Sequence, residues 1–440
     1  MKFKLLSAVI LTALSATAFS ATEHTFSDGL KIKLNEKSIG PDKRISSDLR
    51  VYNGKTILAI ANPDGNNISH NYFDDFNVGK EGMYVGNNKG ANTIITEVVS
   101  HSPSLLKGNI DIVGKLGTLV IANPNGITTD SGFSVSNIQN LELATAKIAD
   151  TSNKDNIKMI NSKDGKLRII RTDITPDAKL DKLSLISNKI SIKKSKLNSD
   201  ELNFNLLTSS KSKKTLSDTV VYVDAYGPDG MHKIKKTNLN RKPSELYISA
   251  DSEVTANNVN INLLESKFNN KGSIHGRENV RITSKKQNEG NYTTVNNGDI
   301  ITMNNMGTIR GKNITMVAHD RSHMENNGEI IAMKNMDIAL DGSTFVNNRN
   351  VHNYGSYGNK KTTITFDQGS FINNGEMKSD NLLITNTSNG KYINNGSLDF
   401  KYYDLTDLSE HNQDNNPMRP FKFSNNEKSN NPDHDTSDVF

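Results

Sequence analysis

One phrase recurs through the second half of the chain: a run with apolar residues at every second position, a bulky residue, then Asn-Asn and a glycine. The pairs are Asn269-Asn270, Asn296-Asn297, Asn326-Asn327, Asn347-Asn348, Asn373-Asn374 and Asn394-Asn395, roughly 20 to 30 residues apart. Glycine follows each of them within two residues except Asn347-Asn348, where Arg349 comes next. The flanking runs alternate strictly: Val259, Ile261, Leu263; Val280, Ile282; Ile314, Met316; Met336, Ile338, Leu340; Ile364, Phe366; Leu382, Ile384; Leu398, Phe400. A period of two puts one face of a strand inward, and a phrase repeated at this distance predicts a solenoid. A sandwich built from hairpins would show turns every 8–12 residues or so. A single coil of this size cannot bury enough apolar surface to fold alone, so each coil must stack on the next. Stacking would also set Asn beside Asn, in position for side-chain amide ladders along the axis.

Composition agrees with an all-β chain rich in turns. Asn fills 60 positions, apolar residues make up 34% and there is no Trp, too lean for a helical or α/β core of this length. The absence of Cys excludes disulfides, thiolate metal sites and a cysteine nucleophile. With 53 basic and 48 acidic side chains the formal charge is only +5, too mild to point to nucleic acid as a partner.

The N-terminus reads as a secretory signal peptide over 1–20: Lys2 and Lys4, the apolar run Leu5 to Leu14, then small residues around Ala16, Ala18, Ser20 and Ala21. That run is shorter than the roughly 20 apolar residues a membrane-spanning helix needs. Passage through the Sec machinery is therefore expected. The mature chain divides into 21–250, with short strands joined by turns, 251–403, with the repeats, and 404–440, expected to be a disordered polar tail.

The first of these segments carries an ordered series of motifs. Asn71, Phe73, Phe76, Asn77 and Val78 lie in one block, followed by Thr96-Glu97-Val98, Ile110 to Gly114, and Asn123-Pro124-Asn125-Gly126-Ile127. Pro124 presets φ for a turn, Asn123 can close an Asx turn on the backbone, and Gly126 tolerates positive φ before a strand resumes at Ile127. In order and spacing the series closely resembles the secretion domain of filamentous-haemagglutinin-type exoproteins of two-partner secretion systems. The strong match covers about residues 57 to 133, and an echo at Glu201 to Thr208 extends it toward 250. The resemblance implies a right-handed parallel β-helix with an N-terminal cap. It also implies recognition in the periplasm by an outer-membrane POTRA-barrel transporter and export of the unfolded chain from a Gram-negative bacterium. Asn123, Pro124, Asn125, Gly126 and Ile127 take the place of the family's secretion signature, and Asn71, Phe73, Phe76, Asn77 and Val78 that of its second block. The chain departs from the family in having Thr96 where Asn is usual before Glu-Val, and in lacking both the Cys pair and the Asn-Pro-Asn-Leu motif of many members.

Candidate chemistry is sparse. His319 and His323 have a metal-like spacing only on a helix, and their surroundings read as strand and turn. Adjacent Asp74 and Asp75 point to opposite faces of a strand, which separates them from a joint role with His70. Met324-Glu325-Asn326-Asn327 falls in the repeat's own turn slot, and the Lys runs at 193–194 and 211–214 read as solvated faces. No nucleophile elbow, phosphate loop or zinc motif occurs. The expectation is a non-enzymatic exported adhesin or haemagglutinin-like protein without cofactor or metal, binding host glycans or matrix. The alternatives are the stalk or truncated form of a contact-dependent inhibition toxin, or of a haemolysin or cytolysin.

Overall fold

The computed structural model describes residues 21–39, 46–174 other than 53, 154–156 and 163, 180–206, 244–284 other than 264–265, 302–354 other than 320–321, and 361–407 other than 389, with short strands at 209–210, 222–224, 231–232, 241–242 and 423–425. The expected signal peptide, the pair Asn296-Asn297 and most of the expected tail lie outside these residues. The chain forms two compact units, Met1–Lys267 and Phe268–Phe440. Each is a stack of parallel strands.

In the first unit the strands Ile68–Phe76, Thr93–Val98, Thr118–Ala122, Asn140–Ala144, Lys182–Ser187, Lys196–Leu206 and Glu253–Leu263 pair in parallel, each with the next. Their register aligns Ile94, Leu119, Leu141, Leu183, Leu202 and Val259 in one column, all fully buried. A second parallel face joins Ser104–Leu106, Ile127–Thr129, Leu167–Ile170, Lys189–Lys193 and Ser244–Ile248. A third joins Lys55–Ala59, Met83–Asn87, Asn109–Gly114 and Ser134–Ser136. Three parallel faces around one apolar interior make a parallel β-helix, as the sequence predicts. The expected cap is antiparallel: Glu23–Thr25 pairs with Lys31–Leu34, which pairs with Ile68–Phe76, and Asp48–Tyr52 runs against Lys55–Ala59. These strands occupy the edge that the first coil would otherwise leave open to another chain.

An extrahelical layer lies on the same unit. Ala146–Asp150 runs antiparallel to Lys158–Asn161, which pairs in turn with Tyr222–Asp224. Its Ile148, Ile157 and Met159 pack on Ile95, Val120, Ala122 and Ile186, the outward partners of the inward-facing columns. The sequence reading has no counterpart for this layer.

The second unit uses longer strands. Ser273–Ser284, Thr308–Ala318 and Glu329–Asp341 pair in order, then Asn350–Asn353 and Lys361–Asp367 share one coil before Glu376–Ser388 and Ser397–Asp407. The register slips after Gly276 and Gly311, turning each long strand through a corner. A Cβ on Gly276 would lie 2.2 Å from the Asn279 carbonyl oxygen, so only glycine fits that corner. The facing sheet joins Thr302–Asn305, His323–Asn326, Thr344–Asn347, Ser370–Asn373 and Lys391–Asn394, and Phe423–Asn425 adds to it in register. Met303, Met324, Phe345, Phe371 and Tyr392 form its buried column.

The paired asparagines build two ladders. In the inner one, each buried amide Nδ2 donates to the Oδ1 of the next coil: Asn270 to Asn305 at 2.8 Å, Asn305 to Asn326 at 2.8 Å, Asn326 to Asn347 at 2.9 Å, Asn347 to Asn373 at 2.7 Å, and Asn373 to Asn394 at 2.7 Å. The second rung is therefore Asn304-Asn305, not the Asn296-Asn297 singled out by its following glycine. In the outer ladder donation runs the opposite way, from Asn327 to Asn304, Asn348 to Asn327, Asn374 to Asn348 and Asn395 to Asn374, at 2.9 to 3.1 Å.

The two ladders differ in what they carry. Asn347 also donates to the Arg349 and Glu376 carbonyls at 3.2 Å, whereas Asn348 is exposed. Asn347→Ala is expected to leave buried amide and carbonyl groups without partners and to cost roughly 2–4 kcal/mol. Asn348→Ala is expected to stay within about 0.5 kcal/mol of the natural chain. Urea denaturation of both variants decides the matter, since coincident midpoints would remove the inner ladder from the stabilising interactions.

Candidate functional site

The two motif blocks meet on one segment. Within Ile68–Phe76 the side chain of Asn71 points inward and is fully buried, so every polar atom of its amide needs a partner. Its Oδ1 accepts from Ser47 Oγ at 2.7 Å and the Ala61 N–H at 2.8 Å, and its Nδ2 donates to the Ile95 carbonyl at 3.0 Å. Asn71 thereby fastens the cap to the first coils. Phe73 and Phe76 pack edge to face, 4.9 Å apart, in the same interior, and Val78 is buried beside Leu106.

The Asn-Pro-Asn-Gly turn has the geometry its residues predict. The Asn125 N–H donates to Asn123 Oδ1 at 2.9 Å, closing the Asx turn, and the Gly126 N–H donates to the Asn123 carbonyl at 3.1 Å. Gly126 has a φ of 121°, a conformation that L side chains rarely adopt, and Ile127 then enters the core between Ser104 and Leu167.

The side chains of both blocks turn to the backbone between Val99 and Leu106. From the Asn123 to Ile127 block, Asn125 Nδ2 donates to the Ser100 carbonyl at 2.8 Å, and Asn123 Nδ2 donates to the Ser102 carbonyl at 3.0 Å and to Ser104 Oγ at 2.8 Å. From the Asn71 to Val78 block, Asn77 Oδ1 accepts the Leu105 N–H at 2.8 Å, the Phe73 carbonyl accepts the Val99 N–H at 2.9 Å, and the Asp74 carbonyl accepts from Ser100 Oγ. Asn77 Nδ2 meanwhile reaches the Lys31 carbonyl at 2.7 Å, tying the cap into the same place. The structure thus brings Asn77, Asn123 and Asn125, though not Asn71, into one hydrogen-bonded unit. That unit displays His101, Ser102 and Pro103 at the surface. Ser100 and Ser104 join this arrangement through their hydroxyls and Ser102 through its backbone, a role the sequence motifs do not mark. Alternation of serine with the apolar Leu106 strand was their only trace.

Charged groups nearby are engaged in structure. Glu97 is buried, its Oε2 is 2.8 Å from His70 Nε2, and its Oε1 accepts the Ile148 N–H of the extrahelical layer at 3.0 Å. Tyr72 stacks on His70, and burial first, then the Glu97 charge, raises its phenol above the ordinary range. Asp74 is held by Asn35 at 2.6 Å and Lys33 at 3.2 Å; in the second unit, His319 is paired with Asp341 at 3.1 Å. Among the described residues no three His, Asp or Glu side chains converge in a way that could hold a metal ion. What the site can do is display a backbone segment whose shape these hydrogen bonds fix.

The family model for the TPS secretion domain matches residues 38–402. Over 104 residues the chain is 39% identical to the tRNA nuclease CdiA of Escherichia coli (strain NC101), a match covering 18% of this chain and 3% of that protein. Over 110 residues it is 34% identical to the filamentous hemagglutinin of Bordetella pertussis (strain Tohama I), covering 21% of this chain and 3% of the relative. The matched segments are thus a small fraction of the length of these relatives. Among solved structures, the HMW1 secretion domain from Haemophilus influenzae aligns over 82% of this chain and 98% of its own, at 14% identity and a TM-score of 0.38.

Proposed function

Because this chain belongs to the TPS secretion domain family, and is a secreted or surface-displayed two-partner secretion exoprotein of a Gram-negative bacterium, we propose that the segment Val99–Leu106, held by both motif blocks, is what its cognate outer-membrane POTRA-barrel transporter reads. The observation that carries this reading is the direction of the asparagine side chains. Asn77, Asn123 and Asn125 bond inward to the backbone of Val99–Leu106, so their identity sets the shape of the displayed segment and does not itself contact a partner, while Asn71 fixes the cap beside it. Delivery to the periplasm falls to the signal peptide over 1–20 and the Sec machinery, 21–250 is the secretion module, 251–403 is the repeat shaft and 404–440 is a polar tail.

Beyond export, the chain acts as an adhesin or haemagglutinin-like protein with no enzymatic activity. The support is the outer surface of the second unit, where register stacks Asn313, Asn335, Lys361 and Asn381 in one column and Thr315, Asp337 and Thr363 in the next, suited to many weak polar contacts with host glycans or matrix. Purified mature chain is expected to bind cells or immobilised glycans in a salt-sensitive manner that strengthens with ligand density. Binding indifferent to density would overturn the multivalent reading. Erythrocyte lysis would transfer the chain to the cytolysin class, and growth inhibition of neighbouring bacteria would transfer it to the contact-dependent toxins.

A further inference from the structure

Glu142 stands apart from every other acidic residue described: it is fully buried, and neither carboxylate oxygen has a hydrogen-bond partner. It sits on Asn140–Ala144 between Val120 and Ser184, and Ser184 Oγ is likewise buried without a partner. Val120 belongs to the apolar cluster in which Ile148, Ile157 and Met159 of the extrahelical layer cover the outer face of the β-helix. The carboxyl therefore lies at the seam between the β-helix and that layer.

The surroundings of the seam offer little to an ionised carboxylate. On the sheet beneath, Thr118–Ala122 carries no titratable group, and the Lys182 ammonium on the neighbouring strand is the single charge that lowers the Glu142 pKa. In the layer itself, Lys147 is exposed and Asp150 pairs with Lys158 at 3.2 Å; Tyr222, Asp224 and His232 lie on the strands beyond. Glu97 is held by His70 and by the Ile148 N–H, which latches the layer from its other side. Loss of the Glu142 proton thus leaves a charge in an apolar seam, and exposure to water is the direct relief.

We infer that the antiparallel layer formed by Ala146–Asp150 and Lys158–Asn161 is a proton-linked flap, docked while Glu142 is neutral and loosened as Glu142 ionises. The sign follows from the two states. Docked, the carboxyl is pushed by burial from 4.5 to about 7; with the flap lifted it returns to the ordinary value. Below the ordinary value both states keep the proton and docking is at full strength. Between the two values lifting releases a proton, so each pH unit favours it tenfold, and above about 7 the effect is constant. Lifting uncovers Ile95, Val120, Ala122 and Ile186, an apolar strip that the docked flap hides.

Hydrogen exchange on the folded mature chain tests this. After correction for intrinsic exchange, protection of the Ile148 amide and of the paired amides in Ala146–Asp150 and Lys158–Asn161 is expected to fall about fortyfold from about pH 5 to about pH 7, while Thr118–Ala122 keeps its protection. In Glu142→Gln the flap should hold its protection across the range. Three results would each overturn the flap: pH-independent protection in the natural chain, a decline that survives Glu142→Gln, or a decline shared in step by Thr118–Ala122.

Discussion

A chain carrying Asn125→Ala with Gly126→Val is expected to reach the periplasm, lose its signal peptide and fail to appear in the medium. The first change removes the hydrogen bonds from Asn125 Nδ2 to the Ser100 carbonyl and to Asn123 Oδ1. The second places a β-branched residue at a φ of 121°, with its Cβ 3.2 Å from the Lys166 carbonyl oxygen. Strain and lost bonds together amount to roughly 2–4 kcal/mol. That acts on one turn, which is enough to release Val99–Leu106 without dissolving a core of several stacked coils. The matched control is Gly65→Val in the related turn Asn62-Pro63-Asp64-Gly65, where a Cβ meets open space and φ is not positive, so secretion should be unchanged. Immunoblots of periplasm and medium read the result. Normal levels of the double variant in the medium would show that the transporter does not depend on this turn.

The second large effect is on stability. Phe371 is fully buried and stacks face to face with Phe345 at 5.0 Å and Tyr392 at 5.6 Å. Phe371→Asp removes the middle ring of that column and leaves a carboxyl among apolar neighbours. Truncating such a ring alone costs about 3–5 kcal/mol, and an unpartnered buried polar group adds to it. Because stability in a stack is a sum over neighbours, the loss should spread to the coils on both sides. Lys378→Asp, on an exposed position where Lys378 meets Asp399 at 2.6 Å, exchanges a surface ion pair for two facing carboxylates in water and should cost little beside Phe371→Asp. Thermal unfolding of the two variants is decisive, and equal midpoints would rule out the stacked column as a source of stability.

Much of this could be read in the sequence because a β-helix repeats its instructions. Val280, Ile282, Ile314, Met316, Met336, Ile338, Ile364 and Ile384 are all buried where alternation places them, and the inner amide ladder follows from identical turns stacked in register. On the final long strand Leu398 and Phe400 are only half-buried, because alternation predicts a direction and the neighbouring coil supplies the cover. The rung at Asn304-Asn305 has its glycine two residues on, as Asn269-Asn270 does, but Asn296-Asn297-Gly298 stands only a few residues before it and fits the same phrase. The phrase Phe423-Ser424-Asn425-Asn426 fits the repeat as well, but sits in a polar stretch where composition masks it. Within the candidate site, the turn at Asn123 is legible from sequence. The grip on Val99–Leu106 is not, because contacts between residues some 20 to 28 positions apart depend on how many residues each coil contains. Glu142 was the least legible of all. In Asn140-Leu141-Glu142-Leu143-Ala144 it occupies the outward phase, where a charged residue ordinarily meets water, and only the extrahelical layer reverses that.

The opposed sense of donation in the two asparagine ladders bears on how long such a fold can grow. Every side-chain amide carries a dipole, and amides joined head to tail sum theirs, as peptide groups do along an α-helix to leave partial charges at its ends. Here the inner row points from earlier coils to later ones and the outer row points back. The two polarisations cancel rung by rung, so adding a coil lengthens the stack without building up charge at either terminus.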